Sequence, residues 1–215
     1  EVVTGTSDII INASNAGETV SFANLSASTF SSGSDTLKIN GLYGAETITA
    51  PTNIASKING LQGNDTLVGG SAADTIDGGS GADTLTGNNG ADIFVWTTTG
   101  SSDSGLTEST ADKISDFISG TDQIKLGLSG NATSNTGNYV ESTSVVGSLS
   151  AAHAAANSAL STLNGTSSAT KLFAFQYDSS NGYLFKDDDS DGIADGMLIL
   201  QGIDKNEIAA SDIIA

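Results

Sequence analysis

GLQGNDTLV, GGSAADTID, GGSGADTLT and GNNGADIFV, running without a gap from Gly60 to Val95, decide how this chain folds. The four nonapeptides keep one register. Position six holds Asp65, Asp74, Asp83 and Asp92, and position eight holds Leu67, Ile76, Leu85 and Phe94. Glycines such as Gly69, Gly70, Gly78, Gly79 and Gly81 permit positive φ, so a six-residue turn can fold its carbonyl oxygens toward one point. The next three residues form a short strand, whose period-two alternation buries position eight and turns its neighbours outward. A metal-free Gly/Asp-rich turn array or a flexible linker is the alternative, and the unbroken apolar position eight argues against it.

The period resembles the calcium-binding nonapeptide G-G-x-G-x-D-x-U-x of RTX proteins. That resemblance implies an all-β fold: a parallel β-roll or β-helix solenoid in which two nonapeptides make one coil and alternate turns stack. Asp65 is then expected beside Asp83, and Asp74 beside Asp92. Stacked carboxylates repel unless neutralised, and a hard dication with about 6–8 oxygen ligands suits carbonyls plus two aspartates. Several calcium ions are therefore expected, held by Asp65, Asp74, Asp83 and Asp92 with the turn glycines Gly60, Gly63, Gly69, Gly78, Gly81, Gly87 and Gly90. Leu61, Ala72 and Asn88 stand where glycine is usual, so the first, second and fourth turns are expected to be less regular than Gly78 to Thr86.

Composition agrees with a cation partner. The 215 residues carry 25 acidic and 7 basic side chains, the latter all Lys, for a net charge of −18. Such a surface repels phosphate backbones and has no Arg to read them, so nucleic acid is excluded as a partner. Zero cysteines exclude a disulfide framework and a zinc-thiolate site. No secretory leader of the basic-then-apolar type and no transmembrane run is visible. Because Glu1 opens inside what already reads as a repeat, the chain is expected to be the carboxy-terminal piece of a longer protein.

Upstream, a weaker beat of small residue, acid, outward residue and apolar residue sounds at Ser7-Asp8-Ile9-Ile10, Gly17-Glu18-Thr19-Val20, Ser34-Asp35-Thr36-Leu37 and Ala45-Glu46-Thr47-Ile48. In Ala55-Ser56-Lys57-Ile58, Ser56 replaces the acid. Residues 1–58 are thus expected to be degenerate solenoid coils that keep the apolar seam and mostly lose the metal. Residues 59–96 are expected to form the calcium roll and 97–215 a mixed, β-rich cap carrying one helix. The outward threonines Thr36, Thr47, Thr66, Thr75 and Thr84 read first as good strand formers on a solvated face.

Downstream, Asp112-Lys113-Ile114-Ser115-Asp116-Phe117 and Gly120-Thr121-Asp122-Gln123-Ile124 resemble the segment that closes RTX rolls in serralysin-type proteases. Trp96, Ile114, Phe117, Ile118 and Ile124 are the expected cover for the seam, with Asp112 and Asp116 as further ion ligands. Residues 148–164 predict a helix capped by Ser148 or Ser150 and ended by Gly165, with Leu149, Ala152, Ala156, Leu160 and Leu163 on one face. His153 reads as an incidental surface residue. A hairpin around Gly182 leads into Asp187, Asp189, Asp191 and Asp195, whose D-x-D-x-D-G-x-x-D spacing resembles a calcium loop. Leu198 stands where an EF-hand has its bidentate Glu, so a calcium turn between strands is expected. The last 45 residues resemble the uncleaved signal region of type I secreted RTX proteins.

No H-E-x-x-H, no Cys and no G-x-S-x-G is present, so the chain reads as no enzyme. The resemblance implies a calcium-folded structural module of a secreted, extracellular or bacterial cell-surface protein such as an S-layer protein or adhesin. Its expected partners are calcium, a type I ABC exporter, and further copies or a cell-surface polysaccharide. Two alternatives stay open: the tail of a secreted hydrolase, and an ice- or carbohydrate-binding threonine face.

Overall fold

The computed structural model of the chain describes residues 9–13, 17–24, 36–97, 104–126, 138–165, 172–203 and 208–214. Ser7, Asp8, Ser34 and Asp35 of the upstream beat lie outside them. Strands β1 (Ile9–Asn12), β2 (Thr19–Ser21), β3 (Leu37–Asn40), β4 (Thr47–Thr49) and β5 (Ser56–Asn59) precede the nonapeptides. The nonapeptides supply β6 (Thr66–Val68), β7 (Thr75–Asp77), β8 (Thr84–Thr86) and β9 (Ile93–Val95), each at repeat positions seven to nine. Successive strands fall on opposite walls. Through β10 (Asp112–Ile114) and β11 (Gln123–Lys125), odd-numbered strands stack in parallel in one sheet and even-numbered strands in the other.

Alternation within each short strand does the rest. Ile48, Ile58, Leu67, Ile76, Leu85, Phe94, Ile114 and Ile124 are at most 3% exposed and fill the space between the two walls. Val68 and Thr66 flank Leu67 on the solvent side, and every other coil repeats the arrangement. Residues 36–58 continue the same stack in register, Leu37 over Ser56 and Thr47 over Thr66. The sheets run unbroken past residues 58 and 96. Among the described residues, the parallel roll and a β-rich cap with one α-helix are therefore both present.

The cap extends these sheets instead of standing apart from them. Strands β12 (Tyr139–Glu141), β13 (Leu172–Tyr177), β14 (Asn181–Asp187) and β15 (Gly196–Gln201) join the even-numbered wall through a parallel β10–β15 pairing. β16 (Ile213–Ile214) closes the other wall on β11. Trp96, Ile114, Phe117 and Ile124 cover the seam as expected, but Ile118 does not, being 52% exposed. Its backbone N–H donates to Asp122 Oδ2 at 2.8 Å, which fixes it in a turn at the rim.

Helix α1 (Leu149–Asn164) lies on the outer face of the even-numbered wall and creates a second core. Ser148 Oγ accepts the N–H of Ala151 at 3.2 Å and caps the helix. Ala152, Ala156, Leu160 and Leu163 are buried against Leu172, Ala174, Phe185 and Met197. His153 is half-buried, stacked on Phe185 with ring centroids 5.6 Å apart, so it is not the incidental surface residue its isolation suggested. The hairpin turn is also shifted from its expected centre. It spans Asp178 to Ser180, with Asp178 Oδ1 accepting the N–H of Ser180 and of Asn181, while Gly182 lies in β14 with the Phe175 ring packed over it.

Candidate metal centres

Two columns of acids run up the turns of the roll, one beside each wall. In the first, Gly17 N–H donates to Glu46 Oε1 (2.8 Å), Glu46 N–H to Asp65 Oδ1 (2.7 Å), Asp65 N–H to Asp83 Oδ1 (2.7 Å) and Asp83 N–H to Asp112 Oδ1 (2.8 Å). In the second, Ser56 donates to Asp74 (2.7 Å), Asp74 to Asp92 (2.8 Å) and Asp92 to Asp122 (3.0 Å). From Glu46 and Ser56 onward, position six of each coil thus donates its backbone N–H to position six one coil downstream, while Glu46 itself receives Gly17. All seven carboxylates are at most 4% exposed.

One carboxylate oxygen is spent on that ladder, and the other decides the chemistry. Asp65 Oδ2 and Asp92 Oδ2 are buried with no hydrogen-bond partner, a costly state for a charged group unless a cation is present. Burial, reinforced by the charges of Asp83 and Glu46 and opposed by the Glu46 N–H, pushes the Asp65 carboxyl up to about 7. Burial, with Asp122, Asp74 and Asp116 nearby, pushes Asp92 up to about 6. Asp74 and Asp122 are raised by burial as well.

The glycine at position one opens room for these oxygens. A Cβ on Gly60 would run into Asp65 Oδ2 and stand 2.5 Å from the Gly78 carbonyl; on Gly78 or Gly87 it would run into the oxygen of Asp83 or Asp92. Carbonyl and carboxylate oxygens therefore converge on space that only a missing side chain leaves open. This donor set, all oxygen and drawn from two stacked turns, fits calcium. Asp65 with the Gly78 carbonyl, and Asp83 and Asp92, would hold it.

Positive φ is needed at other positions than expected. Gly69, Gly70 and Gly78 do not use it; Gly63, Gly81 and Gly90 at position four do, as do Leu61, Gly79 and Asn88 at position two. Leu61 and Asn88 thus keep the glycine-like backbone, so the first and fourth turns are as regular as the third. The second turn differs. With Ala72 at position four it has no positive φ, and its Gly70 N–H folds back onto Asp74 Oδ2 at 2.6 Å. Gly69 still lies 2.7 Å, by the same Cβ measure, from Asp74 Oδ2 and the Gly87 carbonyl.

Of the two closing-segment acids, Asp112 extends the first column, whereas Asp116 stands outside it. Both Asp116 oxygens accept backbone N–H groups, from Gly87 (2.9 Å) and Asn88 (2.7 Å), and brace the fourth turn. In the terminal loop, Asp187, Asp189 and Asp195 bring one oxygen each within 4.8 Å of one another. Asp191 is not brought in. Its Oδ1 accepts the N–H of Ile193 at 2.7 Å in a local turn pointing to solvent. Asp187 is fully buried, accepts from Ser190 and Gly192, and is raised by burial with Asp191 and Asp195 nearby.

Three acids in these networks were not among the expected ligands. Glu46 and Asp122 occupy column positions, and Asp212 receives Ser119 Oγ (2.6 Å) and Gly120 N–H (3.1 Å) at the end of the roll. Each carries the same signal, an acid two residues before a buried Ile or, for Asp212, one residue before it.

The profile of the family described as Peptidase M10 serralysin C terminal matches residues 7–189. The chain belongs to this family. Serralysin C-terminal repeats are of the RTX type and bind calcium, so the chain is a calcium-binding module of the secreted-protein kind. No curated protein matches it. Among solved structures it is similar to the AlgE6R3 subunit from the Azotobacter vinelandii mannuronan C5-epimerase, 23% identical over 83% of this chain and 77% of that one, with a TM-score of 0.29. Among the described residues, no helix of this serralysin-type cap is long and apolar enough to cross a membrane.

Proposed function

We propose that the chain is a non-catalytic structural module of a bacterial cell-surface protein, an S-layer protein or adhesin, which leaves the cell through a type I ABC exporter and folds on meeting extracellular calcium. The observation that carries this reading is the pair of buried, unpartnered oxygens Asp65 Oδ2 and Asp92 Oδ2, each facing a glycine at the start of its own turn. Without a cation, −18 net charges and two crowded acid columns oppose compaction of a thin seam. Every ion that binds only the folded roll adds RT ln(1 + [Ca]/Kd), about 2.7 kcal/mol at a hundredfold excess over Kd. Several such ions make folding a steep function of calcium, loose at cytosolic levels and set outside.

A calcium titration from a chelated sample, followed by circular dichroism and small-angle scattering, tests this. Cooperative gain of β signal and contraction in the millimolar range are expected; a chelated chain already compact and equally heat-stable contradicts it. The scattering also reads self-association, on which the S-layer reading depends. The family match favours a second reading, the same module as the non-catalytic tail of a secreted hydrolase. A catalytic domain in the same polypeptide would select it.

A further inference from the structure

The even-numbered wall carries one continuous cross-strand file on its outer face: Thr19, Thr47, Thr66, Thr84, Lys113, Ile199 and Tyr183 are successive neighbours in register, the last two buried. The first four carry hydroxyls, repeated at the strand spacing of about 4.8 Å. At the far end Ile199 and Tyr183 pass under helix α1. Where the first turn of that helix, at Leu149, meets the sheet, a cleft of about 270 Å³ opens. It takes in Lys113, Ile199 and Tyr183 from the file and, apart from Leu149, is otherwise polar, with Glu108, Asp178, Ser180, Asn181 and Gln201.

We propose that this cleft binds one ring of a neutral saccharide, whose chain continues along the threonine file. The volume is close to the lower end of small-molecule sites, about 300 Å³, and suits a single ring. Donors and acceptors are interleaved: the Lys113 ammonium, the Ser180 hydroxyl and the Asn181 and Gln201 amides stand among the Asp178 and Glu108 carboxylates. A sugar hydroxyl, donor and acceptor at once, matches such a mixture. The Tyr183 hydroxyl donates to Asp178 Oδ2 at 2.6 Å, which orients that carboxylate before any ligand arrives. One Lys against two acids, on a chain of net charge −18, disfavours a polyanion.

The test uses the full, calcium-loaded, nitrogen-15-labelled chain with maltohexaose, cellohexaose, mannohexaose and, as the acidic comparison, hexagalacturonate. At least one neutral hexasaccharide is expected to shift the side-chain amide resonances of Asn181 and Gln201. Ser180→Trp, which fills the cleft from an exposed position, is expected to weaken that binding at least tenfold. Gln201→Ala, also exposed, makes the same comparison should Ser180→Trp not fold. Circular dichroism of each sample against calcium separates a failed cleft from a failed roll. Shifts with hexagalacturonate alone, no shifts with any neutral probe, or undiminished binding by the cleft variants overturns the proposal.

Discussion

The backbone N–H of Asp65 donates to Oδ1 of Asp83 at 2.7 Å, so a neutral donor links two buried acids one coil apart whose charges repel. Each acid thereby orders the turn upstream of it, and Asp65 keeps its second oxygen for a cation. Two variants separate these tasks. Asp83→Asn retains an acceptor for Asp65 and loses the charge; Asp83→Ala loses both and strands a buried N–H, at a cost of about 1–3 kcal/mol. In millimolar calcium both should melt below the parent, Asp83→Ala the lower by that margin. Equal melting temperatures for the two would remove the ladder from the account.

Protons should partly replace calcium. The folded-state values of Asp65, about 7, and Asp92, about 6, lie above the ordinary unfolded carboxylate range. Groups raised in this way favour the fold below their unfolded pKa, and that contribution is lost as pH rises through the folded values. A chelated sample should therefore gain β signal as pH falls from about 7 toward about 4, the unfolded carboxylate value. Calcium affinity should run oppositely, increasing through the same window. Circular dichroism in chelator and calcium titrations at each pH check both signs.

Leu61 holds φ of 78° at a position where Asn88 has 66° in the fourth repeat. Left-handed backbone costs an ordinary L-residue about 1–2 kcal/mol, and asparagine tolerates it better. Leu61 is 38% exposed, so replacing it gives up part of a leucine's burial and offsets some of that relief. Leu61→Asn should stabilise the calcium-loaded chain by roughly 0.5–1 kcal/mol, seen as a higher melting temperature.

Gly78 and Gly120 make a contrasting pair. Gly120 has φ of +75° and open space around it, so Gly120→Ala should cost only backbone strain of about 1–2 kcal/mol at any calcium level. Gly78 does not take positive φ, yet its missing Cβ is where Asp83 Oδ2 lies. Gly78→Ala should cost more and should do so chiefly by weakening calcium binding, which midpoints of calcium-induced folding will show.

The terminal loop predicts a separable ion. Asp195→Ala should remove one calcium from the stoichiometry found by calorimetry, while Asp191→Ala should not, because Asp191 bonds only within its own turn. Loss of an ion from both variants would restore Asp191 to the site.

How much of this was legible follows from spacing. The strict nonapeptide period places Asp65 over Asp83 and Asp74 over Asp92, because a fixed repeat length leaves the coil one way to close. Beyond it the signal thins. Asp112 and Asp122 reach the columns only after loops that lengthen a coil, so their rank is set by sheet pairing that no local pattern encodes. Glycine was overread as a marker of positive φ: at Gly60 and Gly78 its value is the absent side chain, which becomes evident only once the neighbouring coil is in place. His153 and the second core were missed for a related reason. The helical periodicity showed an apolar face but not the sheet of β13 to β15 that it would cover.

β10 and β11 are covered by β15 and β16, which follow them in the chain only after the rest of the cap has been threaded through. Stacking one coil on the next is a short-range event, whereas shutting the stack needs contacts between segments far apart in sequence. The two steps therefore differ in contact order, and closure is the slower of them.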